Sequence, residues 1–164
     1  MPALIAILND SDAYVRRKAC EALGEIGPAA KEAIPALVIG LNDKDYGASL
    51  DASSALSQIG VEGVPALIKA MKDSKAQIRS HAAFALGRIG PRAKAAVPGL
   101  IAALRDPDSD VRHDAALALL QLGPAAIEAI PALVTALRDE SWLVRLRAAE
   151  ALERIEGNKR RSRG

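Results

Sequence analysis

His113 and Asp114 stand side by side in "VRHDAALALLQLGP", residues 111–124. An imidazole next to a carboxylate can help to ligate a metal, or it can move a proton as a general acid–base pair. Both uses need further groups converging on one point. The chain has two histidines, so His81, His113, Asp110 and Asp114 are the candidates for a metal centre, a thin set once supporting ligands are required. No nucleophile elbow, phosphate-binding glycine loop or Cys-x-x-Cys is present. Cys20 lies between Ala19 and Ala22 in an alanine-rich segment and reads as a small packing residue. The residue types therefore assign no catalytic group, no metal and no cofactor. The meaning of the pair depends on the elements that position it.

Those elements are constrained by composition. The chain has 164 residues, one domain's worth, and 50% of it is apolar, nearly all Ala, Leu, Ile and Val. One Phe, one Trp and two Tyr are little for a sandwich or barrel but natural for closely stacked helices. A single cysteine excludes an internal disulfide and fits a reducing compartment. The opening "MPALIAILND" lacks the basic start of a signal peptide, and no stretch approaches the ~20 apolar residues that span a bilayer, so a soluble cytoplasmic protein with no membrane partner is expected. Lysine and arginine total 22 against 20 acidic residues, but Lys159, Arg160, Arg161 and Arg163 sit in a C-terminal stretch, 157–164, which reads as a flexible basic tail. The body, residues 1–156, is slightly acidic, which argues against a nucleic-acid groove.

The organisation is a repeat. "IPALV" at 34–38 returns as "VPALI" at 64–68, "VPGLI" at 97–101 and "IPALV" at 130–134, and "PALIA" stands at 2–6. Five units start at Pro2, Pro35, Pro65, Pro98 and Pro131, in steps of 33, 30, 33 and 33 residues. Each unit reads as two antiparallel helices. In the fourth, Pro98 suits a first turn, Leu100, Ile101 and Leu104 share one stripe, and Asp108 is placed to cap a second helix from about Ser109 to Leu122. Val111, Ala115, Ala118, Leu119 and Leu122 point inward on that helix, and Gly123-Pro124 ends it. One such pair cannot bury its apolar stripes, whereas five stacked pairs form an all-α solenoid with a continuous core.

Ankyrin and tetratricopeptide signatures are absent. The units "LRDPDSDVRHDAALALLQLG" and "LNDSDAYVRRKACEALGEIG" instead resemble the HEAT-like repeats of the phycobilisome-lyase type, over essentially residues 2–156. The resemblance implies an armadillo-like right-handed superhelix. It also implies a ladder in which turn aspartates (Asp10, Asp43, Asp73, Asp106, Asp139) pair with arginines of the second helices (Arg16, Arg79, Arg112, Arg145). Hydroxylase-like members of the family carry His-Glu repeatedly at the place of His113-Asp114, and here that one unit approximates the motif. Since the family includes pigment-attachment proteins, metal enzymes and plain scaffolds, fold alone does not name the function.

The resemblance places ligand contacts on the concave face formed by the second helices. Aligning the units gives one outward column of Lys18, Asp51, His81, Asp114 and Arg147, a second of Arg17, Leu50, Ser80, His113 and Leu146, and a third of Glu21, Ser54, Phe84, Leu117 and Glu150. Charge favours pairing Lys18 with Asp51, and Asp114 with His81 or Arg147. Apolar Leu50, Phe84, Leu117 and Leu146 at wet positions point to a non-enzymatic scaffold for a protein or peptide partner. The alternatives are a bilin chaperone of the chromophore-lyase type, or weak nucleic-acid attraction through the groove and the basic tail. Repeat two departs from the pattern, with Ser49 for Arg, Ala48 for Val, Ser57 for Gly and three residues missing downstream; this reads as drift or as a local change of curvature over 42–64. Trp142 occupies the turn of the last unit, as a capping or contact residue or as core. The first helix, with Leu4, Ile5 and Leu8, resembles internal ones and implies a cover, either preceding repeats or the same helix of a second copy end to end.

Overall fold

The computed structural model describes residues 1–161. Among them are ten α-helices that alternate short and long. The first helices of the five units are α1 (Pro2–Ile7), α3 (Ile34–Gly40), α5 (Val64–Ala70), α7 (Val97–Ala103) and α9 (Ile130–Ala136). The second helices are α2 (Ala13–Ile26), α4 (Tyr46–Ile59), α6 (Ala76–Ile89), α8 (Ser109–Leu122) and α10 (Trp142–Arg161). Proline occupies the first turn of every short helix, where its missing N–H is no loss. The chain is an all-α solenoid of five stacked pairs, and each second helix packs on the second helix of the next unit.

Small and branched residues divide the packing. Ala19, Ala52, Ala82, Ala115 and Ala148 recur at one position of the second helices and are all buried, which lets neighbouring backbones approach. Leu37, Leu67, Leu100 and Leu133 recur on the short helices with no exposed surface, each contributing about 1.5–3 kcal/mol by burial. Leu4 and Ile5 of α1 and Leu8, which caps it, are half-buried against the same core. Residues Ser109–Ala136 are long and apolar enough to cross a bilayer, but Gly123, at φ 57°, divides them into α8 and α9, which share the core.

Glycine stops four of the five long helices. Gly27, Gly60, Gly90 and Gly123 have φ between 57° and 84°, with ψ near −140°, a region that side chains with a Cβ avoid. A 3-10 segment follows each, seven residues long in units one, three and four and four residues long (Gly60–Gly63) in unit two, where the three missing residues fall. Unit five has Glu156 at the glycine position, and α10 continues to Arg161. The expected tail at 157–164 thus starts inside a helix, and residues 162–164 lie outside the described residues.

The turns are built by aspartate in two ways. In every unit the turn carboxylate accepts the backbone N–H two residues on, from Asp10 to Asp12 through Asp139 to Ser141, at 2.8–3.0 Å. It also receives an arginine from the preceding unit where one exists. Arg16 donates through Nε and Nη2 to Asp43, both at 2.6 Å, and Arg79 to Asp106, both at 2.7 Å. Arg112 donates to Asp139 at 2.8 and 3.1 Å and to Glu140 at 2.9 Å. Nη1 of each arginine turns back to two carbonyls of its own turn, such as Asp10 and Ser11 for Arg16. The fork geometry suits both jobs at once.

Long helices start on capping aspartates as well. Asp12, Asp45 and Asp108 each accept an N–H of the first turn, whereas Lys75 holds the same extended conformation before α6 (φ −87°, ψ 122°) and has no oxygen to offer. Lys75→Asp is therefore expected to stabilise the protein by about 1 kcal/mol, raising the melting temperature by about 2–4 °C, read by thermal circular dichroism.

Candidate functional site

The N-terminal halves of α4, α6, α8 and α10 leave a groove of about 650 Å³ between them. Leu50, Phe84 and Leu117, one from each of α4, α6 and α8 and each half-buried, provide its apolar surface. Tyr46 and Leu143 stand at the helix starts that bound it. Asp108, Asp110, Asp114 and His113 complete the α8 side. Helical spacing explains the set: Asp110, His113, Asp114 and Leu117 lie three or four residues apart, on one face of α8.

Successive helices meet on a diagonal. Arg17 Nε donates to Asp51 Oδ2 at 2.7 Å, Ser80 Oγ donates to Asp114 Oδ2, and Arg147 Nε approaches His113 Nε2 at 3.5 Å. Each pair is 34 residues apart, one more than the 33-residue repeat. A residue thus meets the neighbour one place further along the next helix. The expected pairing of Lys18 with Asp51 is corrected accordingly. Lys18 binds Glu21 on its own helix at 2.6 Å and lies 5.7 Å from the Tyr14 ring centroid. Asp114 meets Ser80 and His113, and neither His81 nor Arg147 is its partner.

His81, expected to point outward, is buried at 6% exposure, and only that remnant of its surface reaches the groove. Ser49 stands where the ladder needs arginine, and its hydroxyl bonds only Tyr46 O. The carbonyls of that turn are served from the next unit instead. His81 Nδ1 lies 3.1 Å from Leu41 O, and Gln77 Nε2 donates to Leu41 O at 3.2 Å and to Asp43 O at 3.1 Å. Gln77 thus meets one of the carbonyls that a ladder arginine would take, Asp43 O, while His81 sits on Leu41 O, outside the ladder pattern. Packing of α4 on α6 is the sparsest among the long-helix neighbours.

The His113–Asp114 pair forms part of a short chain of contacts. Asp114 Oδ1 lies 3.1 Å from His113 Nδ1, and Arg147, which donates at 2.8 Å to Glu150, faces His113 Nε2. A guanidinium can only donate, so the contact with Arg147 pairs Nε2 as acceptor with Nδ1 as the donor toward the carboxylate in a neutral ring. The order is hydroxyl, carboxylate, imidazole, and Ser80 touches the acid and not the base; a nucleophilic triad needs the imidazole in the middle. Among the described residues no three His, Cys, Asp or Glu side chains gather as a metal site requires. Burial pushes the Cys20 thiol up to about 12, leaving it protonated and unreactive.

Of the ten residues expected on the binding face, Leu50, His81, Phe84, His113, Asp114 and Leu117 line this groove. Lys18 and Asp51 line a separate polar concavity of about 390 Å³ with Arg17, Glu21 and Gln58. Leu146, 41% exposed, and Arg147 line neither. Tyr46, Gln77 and Leu143 belong to the groove and were not expected. Gln77 and Leu143 share an alignment column about one turn before the chosen ones and Tyr46 stands one place earlier still; an aromatic at Tyr46 was the available signal. Trp142 is 63% exposed at the start of α10.

A family model described as HEAT repeats matches residues 1–65 and 97–162, and one described as PBS lyase HEAT-like repeat matches 78–106. No curated protein matches the chain. Among solved structures, the CpcE–CpcF complex of phycocyanin lyase from Nostoc sp. PCC7120 is 26% identical with a TM-score of 0.69 over 94% of this chain, which spans 64% of that one. An engineered protein is 26% identical with a TM-score of 0.62, covering 94% of this chain and 78% of its own. A designed armadillo repeat protein in complex with the peptide (KR)4 is 20% identical, at a TM-score of 0.62 over 93% of this chain and 80% of its own, a likeness of fold alone.

Proposed function

The chain belongs to the HEAT-repeat family, and from that premise we propose that it is a non-enzymatic scaffold holding a protein or peptide segment in the groove of its second helices. The observation that supports this reading is the apolar surface of Leu50, Phe84 and Leu117, contributed by three successive units and only half covered by the protein itself. A rigid surface of this kind gains affinity by covering apolar area without reorganising. The likeness to a subunit of a two-protein lyase complex fits a protein partner. The groove lining carries Asp108, Asp110 and Asp114 and no lysine or arginine, which is unsuited to phosphates. A bilin is the second reading, and titration with one, followed by absorbance, separates it from the first.

The test is selection of binders from a displayed peptide library, followed by affinity measurement on wild type and on Phe84→Asp with Leu117→Asp. Peptides that use the groove should lose about tenfold or more in affinity, with the melting curve showing that the variant is folded. Unchanged affinity across the selected set would place binding elsewhere.

A further inference from the structure

We propose that the groove takes an extended segment with an apolar side chain at every third position and lysine or arginine between, the cations being held by Asp108 and Asp110. This rests on the groove being the binding surface, and it adds the chemistry of the occupant.

Charge carries the first part of the argument. Asp43, Asp106 and Asp139 are neutralised by ladder arginines and Asp51 by Arg17, while Asp10, Asp12, Asp45 and Asp73, which make no ion pair among the described residues, lie outside this groove. Asp114 is engaged by Ser80 and His113. Of the carboxylates that line the groove, Asp108 and Asp110 make no ion pair among the described residues. Asp108 uses Oδ1 to cap the N–H groups of Asp110 and Val111, at 3.0 and 3.2 Å. Asp110 is exposed. Both line the same groove as Phe84 and Leu117. A lysine or arginine whose stem lies on that apolar surface would place its head at these two carboxylates.

Spacing carries the second part. Leu50, Phe84 and Leu117 sit on successive helices, whose axes pack about 8–10 Å apart; Phe84 and Leu117 share one column, and Leu50 stands one turn nearer its helix start. An extended polyproline-type segment returns a side chain to the same side every third residue, about 9 Å along. Apolar residues three apart would therefore fall on consecutive units, with the residues between them free to reach the acidic edge.

The test uses two labelled ten-residue peptides with leucine at every third position, one with lysine and one with glutamine between, followed by fluorescence anisotropy. At low ionic strength the lysine peptide should bind about five- to tenfold tighter. That preference should shrink with added salt and disappear in Asp108→Asn with Asp110→Asn, where asparagine keeps the helix cap. Equal binding of the two peptides, or a preference that survives the asparagine pair, overturns the proposed chemistry while leaving the groove in place. Failure of both peptides to bind, or binding that is unaffected by Phe84→Asp with Leu117→Asp, overturns the groove itself.

Discussion

Replacing Arg112 by alanine is expected to cost about 3–5 kcal/mol of stability, the range for breaking a buried ion pair from one side. Arg112 is 7% exposed and satisfies Asp139, Glu140 and the carbonyls of Asp106 and Pro107 together. Alanine leaves the Asp139 carboxylate in a partly dry turn without its cation, and two carbonyls short of a donor. Arg145 is the internal control. It makes the same bonds to the carbonyls of its own turn, Asp139 and Glu140, but is exposed and has no carboxylate beyond it. Arg145→Ala should therefore cost about 1 kcal/mol or less. Chemical denaturation of both variants checks the contrast, and similar losses would show that the forward carboxylate adds little.

The same ladder sets the behaviour in acid. The Arg16 hydrogen bonds hold Asp43 below the usual carboxylate range. At Asp106 and Asp139 burial pushes upward most strongly of any one cause, but the hydrogen bonds from Arg79 and Arg112, those from the backbone N–H of Asp108 and Ser141 and the arginine charges together outweigh it, and both end up lowered. Groups lowered in the folded state give their full stabilisation above the unfolded value of about 4, and lose it as the pH falls through the folded values. Stability should thus fall on acidification below about pH 4, and less steeply in Arg112→Ala.

Gly90→Ala is expected to destabilise by about 1–3 kcal/mol through the backbone alone. The residue has φ 73° and ψ −148°, and a Cβ built there meets no atom within 4 Å, so steric crowding contributes nothing. Gly157 gives the opposite sign. It also has open space around a Cβ, but it lies inside α10, where alanine should stabilise by about 0.5–1 kcal/mol. The two substitutions are chemically identical, and opposite shifts of the melting temperature would isolate the conformational cause.

The architecture was legible because it is written five times. Proline at helix starts, glycine at helix ends, and the inward Val111, Ala115, Ala118, Leu119 and Leu122 of α8 are all local signals, and the structure has each where the pattern placed it. The recurrence of aspartate was legible too, but not its double use, since nothing in a column shows that the carboxylate bonds its own turn and the previous unit. The columns were read straight across and the structure joins them one residue out, which is how Lys18 lost Asp51 to Arg17. His81 was misplaced for a different reason. Its ring lies against the turn of the preceding unit, on Leu41 O, and nothing in its alignment column signals that contact.

Ser49 in the place of a ladder arginine bears on how the chain comes apart. A stack in which each unit touches only its neighbours behaves as a line of coupled elements, and its cooperativity is set by the weakest link. Between units one and two, three and four, and four and five, the link includes a charged fork gripping a carboxylate. Between two and three it is an amide and an imidazole on two carbonyls, with the sparsest helix packing. The boundary between folded and unfolded segments costs least there, so units three to five form a block that can stay native while units one and two fray.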